Sequence, residues 1–220
     1  MEILQSIIYY FNRGGLVMYF LLLASIGAGT VIIERWRYYR SKQKSLKEHW
    51  QVVKEWAKEK KPAEVAAFFA KKHTALDKMT AEGFRAAASG RDVKLAMESS
   101  AQLEAAKLKR GLPLLAMLVT LAPILGLMGT VIGMIQCFSV FNLQSGSPMA
   151  ITGGVGEALI ATVTGLAVAT FSLLGHSYFG IKLDNMVTDM EHLGSLLEDL
   201  FFTMQNKSGQ ERGKAKHEAA

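Results

Sequence analysis

Apolar and polar positions along the chain fall into long blocks. Gly14 to Ile33 is a run of 20 uncharged residues that ends abruptly at Glu34-Arg35-Trp36-Arg37. Gly111 to Ile181 spans 71 residues and holds one formally charged side chain, Glu157. A break at Gln144-Ser145-Gly146-Ser147-Pro148 divides it into Leu112 to Leu143 and Met149 to Ile181. A helix needs roughly 20 apolar residues to cross a hydrocarbon core about 30 Å thick. The pattern therefore predicts three transmembrane helices, the last two forming a hairpin.

The polar segments read as amphipathic helices. Ser45 to Lys60 sets Trp50, Val53 and Trp56 at helical spacing. Pro62 opens a short helix through Val65, Ala66, Phe68 and Phe69, because proline is tolerated in a first turn. A further run after Gly90 carries Val93, Leu95, Met97, Leu103 and Leu108 as packing positions between helices or subunits. No turn signal separates it from the second apolar block, so one long helix is expected over Val93 to Asn142, with Pro113 in line as a kink. Beyond Ile181, Leu183, Met186, Met190, Leu193, Leu197 and Leu200 recur every three or four residues and extend the third span as an amphipathic helix. The expected organisation is an N-terminal segment over 1–13, lying as an interfacial helix, and spans over 14–34, 111–143 and 149–181. A helical domain over 35–110, a turn over 144–148, a helix over 182–205 and a disordered polar tail over 206–220 complete it.

Charge fixes the expected orientation. Of 25 Lys and Arg residues, 19 lie between Arg35 and Arg110, five lie after Ile181, and only Arg13 precedes the first span. The turn at 144–148 has none. Positive charge marks the cytoplasmic side, which puts the N-terminus and the short turn outside and the rest of the polar mass in the cytoplasm. Trp36, Tyr38 and Tyr39 fit an aromatic belt at the inner interface. A cleaved signal peptide would carry its charge ahead of the apolar core, not behind it. The net charge of +6 lacks the aromatic-interleaved patch of a nucleic-acid binder, so no nucleic-acid partner is expected. Cys137 is the single cysteine, which excludes an internal disulfide and a thiolate zinc cluster and leaves a small buried hydrophobe. No phosphate-binding glycine loop, metal-spaced His/Cys set or nucleophile elbow is present. An enzyme, a cofactor and a metal site are therefore not expected.

The chemistry sits in the hairpin. A carboxylate at bilayer depth is costly and usually faces a bundle interior or a water-filled cavity, so Glu157 is a candidate pathway residue; an interfacial structural carboxylate is the other reading. Thr130, Thr162 and Thr164 bring hydroxyls into the apolar helices, either as lining groups or bonded back to their own helix. Gly126, Gly129 and Gly133, with Ala161 and Gly165, form rows of small residues that let helices approach closely. His176, near the inner end of the third span, reads as a packing or interfacial residue. Three helices are too few to enclose a pathway, so oligomerisation is implied.

Two blocks carry a resemblance. Ala122-Pro123-Ile124-Leu125-Gly126-Leu127-Met128-Gly129-Thr130-Val131-Ile132-Gly133-Met134-Ile135, followed by Phe138, is one. Gly154-Val155-Gly156-Glu157-Ala158-Leu159-Ile160-Ala161-Thr162 with Gly165-Leu166 is the other. The sequence resembles the MotA/TolQ/ExbB family of ion-driven inner-membrane motor proteins, and its ExbB/TolQ branch more than the flagellar one. The resemblance implies an all-α integral membrane protein with three spans and long cytoplasmic helical extensions, assembled as a ring-forming homopentamer. Thr130 and Thr162 match pore-lining threonines, and Glu157 matches the glutamate near the outer end of the third span. The resemblance further implies an ExbD/TolR-like single-span partner dimer carrying the ion-binding aspartate, because no span of this chain holds one. A TonB/TolA-like periplasm-spanning protein would act beyond it. The function implied is a proton channel subunit coupled to work at the outer membrane. A flagellar-type stator and a passive membrane scaffold stay open as alternatives.

Overall fold

The computed structural model describes residues 15–42, 45–143 and 148–218. Side chains at 140–143, 148–154, 157 and 205–218 are not among those described. The expected interfacial helix over 1–13 and most of the turn over 144–148 lie outside the described residues. Every regular element described is helical: α1 (Gly15–Lys42), α2 (Leu46–Glu59), α3 (Pro62–Ala70), α4 (Ala75–Ala88), α5 (Val93–Lys109), α6 (Leu112–Leu143) and α7 (Pro148–Glu218). The chain divides into two compact units. One comprises Met1–Trp36 with Gly111–Gly180, and the other Arg37–Arg110 with Ile181–Ala220.

Three helices, α1, α6 and α7, are long and apolar enough to cross a membrane. Together they supply the first unit. Val17, Met18 and Leu21 of α1, Ala122 of α6, and Val168 and Ala169 of α7 form a buried cluster, flanked by Ala24, Leu125, Ile132 and Ile160. The opposite faces stay apolar as well: Leu23, Ile124, Leu127, Val163 and Phe171 are each more than 60% exposed. In water such surface would be a large liability; facing lipid or neighbouring subunits it is the normal composition of a spanning helix. Cys137 is a buried free thiol.

The single helix expected over Val93 to Asn142 is interrupted. Arg110 leaves the helix with φ −56° and ψ 134°, and Gly111 takes φ +85°. That left-handed conformation is strained for a residue with a Cβ. An added Cβ at Gly111 would also lie 3.2 Å from Val31 Cγ1. The break falls at this glycine and not at Pro113, which sits harmlessly in the first turn of α6.

In the second unit, α4 was not foreseen from periodicity. Thr74 and Asp77 form a capping box: Asp77 N donates to Thr74 Oγ1 at 3.2 Å, and Thr74 N to Asp77 Oδ2 at 3.3 Å. At its other end Gly90 takes φ +67°, Gly90 N donates to the Ala87 carbonyl and Arg91 N to the Ala86 carbonyl. This is a Schellman stop. The core gathers Val53, Val65, Phe69, Leu76, Met79, Phe84, Met97, Leu108, Met190, Leu193 and Leu197, all at most 5% exposed. Along α5, Met97 and Leu108 point inward, whereas Leu95 and Leu103 are exposed.

Polar groups are buried in this core too. His49 Nδ1 stands 3.3 Å from Asp77 Oδ1 and Nε2 stands 2.9 Å from Thr80 Oγ1; all three residues are at most 1% exposed. Glu104 accepts from Lys78 at 2.9 Å and Lys107 at 2.7 Å. Burial by itself raises the Glu104 carboxyl, but the hydrogen bonds and charges of Lys107 and Lys78 outweigh it and hold the group below the ordinary glutamate value. Tyr39, expected in an interfacial belt, is instead 3% exposed and donates to the Leu108 carbonyl at 3.0 Å. Trp36 remains exposed. Finally, α7 continues to Glu218, across the polar stretch expected to be disordered. Gln, Glu, Arg, Lys and Ala dominate its last turns and are strong helix formers.

Candidate functional site

Helices α6 and α7 meet along a seam of residues with almost no side chain. A Cβ added at Gly165 would lie 2.6 Å from the Ala122 carbonyl oxygen and 3.0 Å from Gly126 Cα. One added at Gly126 would lie 3.1 Å from the Ala161 carbonyl oxygen and 3.1 Å from Thr162 Cα. At Gly129 it would lie 2.6 Å from Ala161 Cβ, and at Gly133 3.0 Å from Ala158 Cβ. The pairing of Ala122 with Gly165, Gly126 with Thr162, Gly129 with Ala161 and Gly133 with Ala158 is antiparallel; backbone lies against backbone at Gly126 and Gly165, and alanine methyl groups lie against the helix at Gly129 and Gly133. Without a hydrophobic force between helices inside lipid, this close dispersion contact is what holds them.

One hydroxyl crosses the seam. Thr162 Oγ1 donates to the Gly126 carbonyl at 3.1 Å, the described hydroxyl contact that joins α6 to α7. Thr130, one turn further along α6, donates to its own helix at the Leu127 carbonyl, 2.6 Å away. Thr164 also bonds within its helix, to Ile160 at 2.9 Å, and points elsewhere. It lines a cleft of about 370 Å³ with Ser25, Ala28, Gly29 and Ile32 of α1. The structure thus puts Thr162 and Gly126 in contact, sets Thr130 a turn away, and places Thr164 on another face of α7. Glu157 is a helical residue of α7 next to Ala158; its side chain is outside the described residues.

One feature of this unit, the close approach at Gly175, escaped the sequence reading. Gly175 brings α7 against α1: an added Cβ would lie 2.8 Å from Ile32 Cγ1 and 3.6 Å from Leu115 Cδ1. Ser172 is fully buried and donates to Val168 at 2.8 Å. Gly165 and Gly175 stand ten residues apart, nearly three turns, which would have been the signal for a second close approach on α7.

A threonine bonded to a backbone carbonyl keeps two options. Its oxygen retains lone pairs for a proton donor or a cation, and its O–H can swing from the carbonyl to a carboxylate. Such a group can receive a carboxyl in either protonation state without leaving a buried donor or acceptor unsatisfied. Among the described residues no group of His, Cys, Asp or Glu side chains could hold a metal ion.

Three apolar helices, a glycine-lined seam and hydroxyls at spanning depth define a multi-pass helical membrane protein. Residues 67–192 match the model of the MotA/TolQ/ExbB proton channel family, which covers more than half of the chain. The chain belongs to that family. It is similar to an ExbB-like 1 biopolymer transport protein of Synechocystis sp., with 36% identity over 177 residues, 74% of this chain and 66% of that protein. It is similar to the biopolymer transport protein ExbB of Xanthomonas campestris pv. campestris, with 33% identity over 112 residues, 50% of this chain and 44% of that one. The Tol-Pal system protein TolQ of Pseudomonas aeruginosa matches at 31% over 96 residues, 43% of this chain and 42% of that protein. The chain spans less than two thirds of the length of each of these relatives.

Proposed function

We propose that this protein is the channel-forming subunit of an ion-motive-force-driven motor of the ExbB/TolQ type in the bacterial inner membrane. Five copies form a ring around the single membrane helices of an ExbD/TolR-type partner dimer, whose aspartate takes up and releases the proton. The N-terminus is periplasmic and the C-terminus cytoplasmic, in keeping with the charge asymmetry. Protons enter past Glu157, meet the partner carboxyl beside Thr130 and Thr162, and leave to the cytoplasm. Thr164, facing α1, is the peripheral member of the set.

The observation that carries this reading is the Thr162 hydroxyl at 3.1 Å from the Gly126 carbonyl, in the tightest part of the α6–α7 seam. An ionised partner carboxylate would draw the O–H of Thr130 or Thr162 away from its carbonyl. Once protonated, the carboxyl donates instead, the threonine returns to its carbonyl, and the partner helix is released to move against the ring. Each charge crossing the membrane delivers about 2.3 kcal/mol per 100 mV, so several crossings drive one substantial movement. The work done is energy-dependent transport or envelope maintenance at the outer membrane.

Thr162→Val and, separately, Thr130→Val keep side-chain volume and remove the hydroxyl. Both are expected to abolish energy-dependent function while the assembled ring survives in detergent. Full activity in both variants would refute the pathway and leave a passive scaffold. Glu157→Gln is expected to reduce activity; wild-type function there would return Glu157 to a structural role.

A further inference from the structure

Helix α5 turns two large apolar side chains outward from the second unit. Leu95 and Leu103 are 64% and 57% exposed, although Met97 and Leu108 of the same helix are buried. Eight residues, a little over two turns, separate the two leucines, so they share one side of the helix. On one flank of that side, α5 and α7 bound a groove of about 430 Å³ with buried Met79 and Met190 as its apolar floor. Three acidic side chains line it, Glu98, Glu191 and Glu198, against one basic one, Lys94. Lys94 Nζ stands 3.6 Å from Glu198 Oε1, and that pair cancels, which leaves Glu98 and Glu191 as exposed surplus negative charge.

On the other flank, α4 and α5 bound a groove of about 460 Å³ that includes Leu103. Here the balance is reversed. Four basic side chains, Lys78, Arg85, Arg91 and Lys107, stand against Glu82 and Glu104. Arg85 pairs with Glu82, and Lys78 and Lys107 share Glu104, so the groove carries two positive charges in excess. One helix therefore separates an acidic groove from a basic one of similar size. When two copies approach, like flanks repel and unlike flanks attract, and such complementarity fixes register. A contact between two different faces of identical copies is heterologous, and it closes into a ring where its rotation allows. Exposed leucine beside a charged rim is the ordinary anatomy of an interface. We propose that these two flanks join neighbouring copies: the basic α4–α5 groove of one copy, with Leu103, packs on the acidic α5–α7 groove of the next. The inference rests on the ring proposed above and names the surfaces that join its members outside the apolar spans.

The test uses the full-length protein with its one cysteine replaced, Cys137→Ala. Ser99, exposed in the basic groove, and Ser195, exposed in the acidic one, are changed to cysteine in two separately tagged chains that are then co-expressed. A short bis-maleimide is expected to join the Ser99→Cys chain to the Ser195→Cys chain and to leave either chain alone uncrosslinked. Glu98→Arg/Glu191→Arg and, separately, Arg85→Glu/Arg91→Glu should each lower that crosslinking about tenfold. All four changes in one chain exchange the two charges and should restore it, which separates loss of the interface from loss of folding. Native mass spectrometry in detergent counts the copies in each case. Rings that form without the mixed crosslink, or crosslinking indifferent to both charge reversals, would overturn the proposal, give the grooves to another partner and leave the ring standing. A wild type that is monomeric and uncrosslinked would sink the ring reading and this interface together.

Discussion

Gly165→Ala adds one methyl group to the chain at the place where α6 and α7 are closest. The new Cβ would stand 2.6 Å from the Ala122 carbonyl oxygen and 3.0 Å from Gly126 Cα, and both are backbone atoms that no rotamer change can move. Restoring an ordinary separation of about 3.5 Å requires the helices to part locally by roughly 0.9 Å. A gap of that size forfeits a quarter to a half of each dispersion contact around it. It would also stretch the Thr162 to Gly126 hydrogen bond, now 3.1 Å, beyond useful range. Overpacking of this kind costs about 1–3 kcal/mol, and the lost interhelical bond adds roughly 0.6 kcal/mol. In a soluble helix interior the same glycine-to-alanine exchange would gain up to about 1 kcal/mol, so the sign of the effect discriminates. The matched control is Gly27→Ala in α1, where an added Cβ meets nothing within 4 Å. Unfolding of the purified protein in a denaturing-detergent titration, followed by circular dichroism, gives the difference directly. Gly165→Ala as stable as the wild type, or more stable than Gly27→Ala, would refute the close-packed seam.

Other outcomes follow from the second unit. Asp77→Ala removes the capping box of α4 and the partner of buried His49. It should cost about 1–2 kcal/mol, most of it from the lost cap, seen as a lowered unfolding midpoint. Glu104 is held below the ordinary glutamate value of 4.5, so its contribution is fully present above that pH and is lost as pH falls toward the depressed folded value. Unfolding midpoints measured from pH 7 downward should therefore show a shallower acid fall in Glu104→Gln than in the wild type. Thr164→Val, on the face turned to α1, is expected to disturb function less than Thr162→Val in the same growth assay.

Much of the first unit could be read from sequence because lipid imposes a simple rule. A spanning helix must be continuously apolar, so Gly14 to Ile33 and the two blocks after Gly111 stand out by length alone. Gly126, Gly129, Gly133, Ala161 and Gly165 also stand out, since small residues at three- and four-residue spacing are rare without a reason, and the structure places them on the α6–α7 seam. The soluble part obeys weaker rules. The buried side of α4 sets only three large apolar side chains, Leu76, Met79 and Phe84, among Ala75, Ala81, Gly83, Ala86 and the buried polar Asp77 and Thr80, which weakens its apolar periodicity. Only the Thr74 and Asp77 pair marks its start. The stop at Gly111 was hidden because apolar residues follow it at once, with no polar turn. Tyr39 looked interfacial because it sits beside charged residues, but its hydroxyl is satisfied by the Leu108 carbonyl inside the core. His49 was invisible for the converse reason: its partners Asp77 and Thr80 are about 30 residues away in sequence.

The central claim is that the hydroxyls at the α6–α7 seam are part of an ion pathway. The most direct measurement is proton flux into liposomes holding this protein together with its single-span partner, driven by an imposed membrane potential. The account predicts flux with both proteins present that disappears in Thr162→Val while the ring stays intact. Undiminished flux in Thr162→Val and Thr130→Val would contradict it.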